Sequence, residues 1–219
     1  MRSSYAGVAL GVAVALAFPA AALADSGSSS LSGGTGSSSL SGGGSGSSSL
    51  SGGGSKPSYS QWIADVTAVT TQAQSYLAAA LPGVTKPAIV LDIDNTSLET
   101  SYNPGIITPA IPPVLALTKW AKQQGAAVIF VTGRPSIMGI YTQTNLSAVG
   151  YTVDGLYGGG LTTGSAGAGA LESYKTGARI DIESKGYTIV ANIGNSASDL
   201  AGGHAQATFK LPDYDGALQ

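Results

Sequence analysis

Three apolar runs frame what this chain can become: AIVLDI at 88–93, AAVIFVTG at 126–133 and YTIVANIG at 187–194. Each is about one strand long and none alternates apolar with polar residues. An unalternating run reads as a strand buried on both faces, the kind found in parallel sheets. The segments between them carry helical spacing. Trp62, Val66, Val69, Ala73, Tyr76 and Leu77 form one stripe over 59–80, which ends at Pro82-Gly83. A helix starts near Pro112-Pro113 and stops at Gly125, another runs from about Ser136 to Val149, and a third follows LESYKTGARIDIESKG. The glycine-rich stretch from Tyr157 to Ala170 holds neither a nucleotide fingerprint nor a phosphate-binding loop pattern and reads as a mobile rim; a last short strand falls near ATFKL. Strands alternating with helices predict an α/β domain, a three-layer Rossmann-like parallel sheet with helices on both faces. Ser97 to Gly125 has room for a loop and one helix, so no large cap domain is expected.

In such sheets ligands sit outside the carboxyl ends of the strands. The first run ends in Asp92, Asp94, Asn95 and Thr96, the second in Thr132, Gly133 and Arg134, and the third in Gly194, Asn195, Ser196 and Asp199. Lys175 and Arg179 lie on the helix before the third run. A chain with 12 acidic residues in 219 has thus placed two carboxylates two residues apart at one strand end. Asp92 and Asp94 as turn formers, Asp199 as a first-turn helix acid and Arg179 as an ion-pair partner are the structural readings of the same residues. His204, the single histidine, follows two glycines and reads as a loop residue.

Taken in order, DIDNT, FVTGR, YKTGAR and NIGNSASDL resemble the four motifs of the haloacid dehalogenase superfamily of phosphohydrolases. The closest likeness is to the capless acid phosphatase branch, subfamily IIIB, which includes plant vegetative storage proteins and bacterial surface phosphatases. The resemblance spans roughly residues 57 to 215. It implies a haloacid dehalogenase-like fold and hydrolysis of small-molecule phosphomonoesters with Mg²⁺. By the same resemblance Asp92 is the nucleophile that forms an aspartyl-phosphate, and Asp94 is the acid and base. Thr132, Gly133 and Lys175 hold the phosphoryl group, and Asp92, Asp94, Asn195 and Asp199 form the metal site. Asn195 stands where the family commonly has Asp. A storage or phosphate-binding protein on the same fold is the non-catalytic alternative. An intracellular phosphoacceptor switch fits less well, because of the second Asp and of the leader described next.

Residues 1–24 combine Arg2, an apolar segment and Ala22-Leu23-Ala24, which predicts a cleaved secretory signal peptide and no stable membrane insertion afterwards. From 25 to 55, SSSLSGG recurs three times without aromatic residues, as expected of a flexible linker. The protein is therefore expected to be secreted, or held at the cell surface through this segment. There are no cysteines, so the domain at 56–219 must rest on its core. A formal charge of −2 with scattered Lys and Arg argues against nucleic acid as a partner. Oligomeric state is not legible.

Overall fold

The computed structural model describes residues 54–218. The leader expected at 1–24 and nearly all of the 25–55 linker lie outside the described residues. Helix α1 spans Tyr59–Ala80, with Ser58 accepting from the Gln61 amide as its N-cap. Strand β1 is Pro87–Leu91, α2 is Pro112–Gln123, β2 is Ala127–Pro135, α3 is Gly139–Ala148 after one 3₁₀ turn at Ser136–Met138, and β3 is Gly155–Gly159. Helix α4 follows at Ala168–Ser184, then β4 at Thr188–Gly194, a one-turn α5 at Ala197–Leu200 and β5 at Ala207–Lys210. The five strands form one parallel sheet in the order β3-β2-β1-β4-β5.

The pleat sorts the apolar runs into two cores. Ile89 and Leu91 of β1 join Val128 and Phe130 of β2 on one face, against Trp62, Val66 and Leu77 of α1 and Leu117 and Ala121 of α2. Ala88 and Val90 join Ile129 and Val131 on the other face, against Ala178 and Ile182 of α4. Both faces are buried, so neither strand needs polar residues, and the unalternating pattern follows. Fully burying one such aliphatic side chain contributes about 1.5–3 kcal/mol. The α1 stripe is close to the expected one, but Thr70 is buried while Val69 and Tyr76 are only partly so. No helix among the described residues is long and apolar enough to cross a membrane.

The expected glycine-rich rim is shorter than the sequence suggests. Its first residues complete strand β3, where Tyr157, Gly158 and Gly159 pair in parallel with Val131, Thr132 and Pro135, and its last residues already belong to α4. GLYGG has almost no strand propensity of its own. It is a strand because the edge of β2 offers unpaired backbone groups.

Candidate active site

Asp92 continues the even-numbered phase of β1 after Ala88 and Val90, and so stays on the α4 side as the strand ends. On α4, Lys175, Ala178, Arg179 and Ile182 face inward at helical spacing, and Lys175 is the member nearest the helix start. Because α4 leads into the parallel strand β4, its N-terminal half lies by the carboxyl edge of the sheet. The two phases meet there: Lys175 Nζ donates to Asp92 Oδ1 at 2.7 Å and also to Asp199 Oδ1. All three side chains are buried.

One ammonium therefore serves two carboxylates. Burial pulls the Lys175 pKa down, but the Asp92 and Asp199 charges outweigh it and hold the amine protonated. Asp92 is left under-compensated: burial first, then the Asp199 charge, pushes its carboxyl up to about 7. Asp199 uses its second oxygen to accept from the Ser196 amide at 2.8 Å, closing a capping box on α5. It is thus both the first-turn helix acid and a member of the buried charge cluster.

Asp94 points elsewhere. Arg134, near the end of β2, donates Nε to Asp94 Oδ2 at 2.9 Å and Nη2 to Oδ1 at 2.6 Å, and Thr100 donates to Oδ1 at 2.8 Å. Burial works to raise the Asp94 carboxyl, but the Arg134 hydrogen bonds and charge prevail and hold it below its ordinary value. Arg134 was not among the residues singled out for chemistry. Its one sequence signal was its place directly after Thr132-Gly133 at a strand end.

The loop after β1 is tightly wound. The Ile93 carbonyl accepts from the amides of Ser97 and Leu98, and Asn95 adopts the left-handed conformation that Asn tolerates better than most residues. Asn95 Nδ2 donates to the Leu218 carbonyl at 3.0 Å, and Asn195 Nδ2 donates to the same oxygen at 2.6 Å. Asn195 Oδ1 accepts from Thr96 Oγ1 at 3.0 Å. This residue thus ties the ends of β1 and β4 to the C-terminal segment; an aspartate in its place could keep the Thr96 contact but could not donate to the Leu218 carbonyl. Arg179 is buried as well, yet the ion pair expected of it is replaced by carbonyls: it donates to the backbone oxygens of Asp199 and Gly203 at 2.7 and 2.8 Å and to that of Ala201. His204 pairs with Glu183 on the surface at 2.6 Å.

Asp92, Asp94, Thr132, Gly133, Lys175, Asn195 and Asp199 all line one cavity of about 330 Å³ at the carboxyl edge of the sheet, with Arg134 on its rim. Among the described residues no three His, Cys, Asp or Glu side chains gather as a metal cluster. The donors nevertheless suit a hard cation: all are oxygens, and two buried carboxylates outnumber the single ammonium between them.

A doubly covered parallel sheet with an Asp-Lys-Asp cluster at its carboxyl edge defines an α/β domain built for anionic chemistry. The chain belongs to the haloacid dehalogenase superfamily, subfamily IIIB (acid phosphatase), whose profile matches residues 102–217. That segment includes Thr132, Lys175, Asn195 and Asp199 and begins after Asp92 and Asp94. Phosphatases of this superfamily generally use a divalent metal. Two soybean (Glycine max) proteins, the stem 28 kDa and stem 31 kDa glycoproteins, are each 37% identical over 108 residues, 48% of this chain. The matched segment spans 42% and 36% of those relatives, less than half of either. The class C acid phosphatase of Bacillus anthracis shares the fold, with a TM-score of 0.53 at 22% identity over 66% of this chain and 67% of that one.

Proposed function

We propose that this chain is a secreted, Mg²⁺-dependent acid phosphatase that hydrolyses phosphomonoesters through an aspartyl-phosphate on Asp92. The observation that carries the reading is the buried Lys175 ammonium held between Asp92 and Asp199 at the strand ends. Lys175 grips one oxygen of Asp92 and fixes the carboxylate's orientation, which leaves the other oxygen to attack phosphorus. Thr132 and Lys175 hold the phosphoryl oxygens, and the backbone amides after Asp92 add dipoles at the same edge. As the new phosphorus–oxygen bond forms, the ester bond breaks and the leaving oxygen takes a proton from Asp94. Asp94 then takes a proton from water, whose oxygen attacks phosphorus and releases Asp92. The sum is phosphomonoester plus water giving alcohol plus phosphate. Asp92, the Asp94 backbone carbonyl, Asn195 and Asp199 would hold a Mg²⁺, which would supply positive charge against the dianion. Arg134 must loosen its grip on Asp94 for that carboxyl to carry a proton, and an incoming phosphate is a strong competitor for a guanidinium. Secretion rests on the pattern of residues 1–24.

A non-catalytic storage or phosphate-binding role is the second reading, and the likeness to the soybean stem glycoproteins favours it. Hydrolysis of p-nitrophenyl phosphate by the full chain, with Mg²⁺ and with chelator, separates the two. Phosphatase chemistry requires Mg²⁺-dependent release of p-nitrophenol by wild type, none by Asp92→Asn, and acid-stable phosphoenzyme accumulating in Asp94→Asn. Phosphate binding without any turnover establishes the second reading instead.

A further inference from the structure

Six of the exposed large apolar side chains among the described residues fall in two short segments: Ile106 and Ile107 before α2, and Ile137, Met138, Ile140 and Tyr141 at the start of α3. Ile137 and Ile140 are 76% and 87% exposed, far more than packing against the domain explains. The two segments are adjacent in space, because Tyr141 Oη donates to the Ile106 carbonyl at 2.6 Å. The first segment is anchored to α3: Asn145 accepts from the Thr108 amide at 2.9 Å and donates to the Thr108 carbonyl at 2.8 Å. Between the segments runs a groove of about 360 Å³, walled by Pro104, Gly105, Met138 and Tyr141. Arg134 lines this groove and also the cavity that holds Asp92 and Lys175. A second hollow of about 310 Å³, bordered by Ile140 and Leu156, opens from the same arginine.

The groove's chemistry is selective. Among the described residues Arg134 is the one charged residue lining it, and that guanidinium serves Asp94 and the incoming phosphate, not a second group in the groove. The Tyr141 hydroxyl, both ends of the Asn145 amide and the Thr100 hydroxyl are already bonded within the protein. A sugar or a second charged group placed here would lose water and gain few partners. Hydrocarbon would lose nothing. Its apolar walls are Pro104, Pro135, Met138 and the ring of Tyr141, and unbranched Met adapts to a flexible chain. Clustered exposed apolar residues at the mouth of a polar site mark a ligand surface rather than chance.

We propose that the substrates are phosphomonoesters of aliphatic alcohols. Their phosphate enters the Asp92–Lys175 cavity, and their hydrocarbon chain lies past Arg134 along the groove walled by Pro104, Pro135, Met138 and Tyr141. This rests on the phosphatase reading, adds no step to the reaction and assigns only what the leaving alcohol is.

The test uses the full chain with Mg²⁺ and n-alkyl phosphates from ethyl to octyl, alongside the non-hydrolysable n-alkylphosphonates measured by titration calorimetry. Each methylene that enters the groove should raise kcat/KM and phosphonate affinity up to about fourfold, from about 0.8 kcal/mol per buried methylene. The rise should level off once the chain outgrows the groove. The variant Met138→Ser, which removes an apolar wall of the groove, should lower hexyl phosphate kcat/KM about tenfold and leave ethyl phosphate within twofold. Chain-length dependence flat in both kinetics and affinity overturns the proposal. Flat affinity together with co-sedimentation on phosphatidylcholine vesicles also overturns it and assigns the patch to a bilayer surface. Affinity that climbs with chain length while no ester is hydrolysed supports the groove and refutes the phosphatase reading.

Discussion

Asp92→Asn should abolish turnover and at the same time stabilise the metal-free fold. The Asp92 carboxyl is buried, repelled by Asp199 and shares its ammonium, so its pKa is raised from 3.8 to about 7. The folded state therefore keeps a proton that the unfolded chain has already released. The stability that this proton carries is complete below about pH 4 and is lost as pH rises through about 7. At about 1.4 kcal/mol per pH unit, holding the ionised carboxylate in the fold costs about 4 kcal/mol by pH 8, less whatever side-chain relaxation recovers. Asparagine is neutral throughout and leaves Lys175 paired with Asp199 alone. The variant should exceed wild type by about 1 kcal/mol at pH 4.5 and by about 2–4 kcal/mol at pH 8. In a domain of this size the larger gap is roughly 5–15 °C in Tm. Urea unfolding of both proteins at both pH values, in chelator, reads the difference directly. Added Mg²⁺ should then narrow the gap at pH 8, since a ligand of the native state stabilises wild type by mass action. A variant less stable than wild type at pH 8, or a gap that does not grow with pH, refutes the reasoning.

Gly194→Ala places a methyl 2.3 Å from Asp199 Cβ, which must push Asp199 away from Lys175. Hydrolysis should fall by about a hundredfold or more, on the scale of losing a preorganised electrostatic contact, and wild-type rates in this variant would remove Asp199 from the site. Asn195→Asp sets a carboxylate oxygen against the Leu218 carbonyl where an amide now donates at 2.6 Å. Denaturant unfolding in chelator should show a loss of about 1–3 kcal/mol, and an unchanged midpoint would mean that the Leu218 contact contributes nothing. Arg134→Ala frees Asp94 from the bonds that hold its carboxyl low, so Asp94 should stay protonated to higher pH. The alkaline limb of the kcat profile should move upward, and a limb that stays in place excludes Asp94 as the proton donor.

How much of this was legible in advance depended on the range of the interactions. β1, β2 and β4 were readable because burial on both faces imposes an unbroken apolar run, a property of five to nine consecutive residues. α1 was readable because its stripe and its Ser58 cap are equally local. That these residues would gather at one cavity was readable because strand ends meet at one edge of a parallel sheet, and these ends held the acids, the threonine and the asparagine.

What only the tertiary structure decided was pairing. GLYGG is a strand because β2 presents an edge, not because of its own residues. Asp94 answers to an arginine 40 residues away, and the Leu218 carbonyl joins Asn95 and Asn195 across 123 and 23 residues. That Lys175 must divide itself between two aspartates follows from α4 packing on one particular face of the sheet. Periodicity and propensity are sums over neighbours along the chain and can be read there. Charge balance in a buried site depends on which distant groups share one low-dielectric space, and the fold alone fixes that.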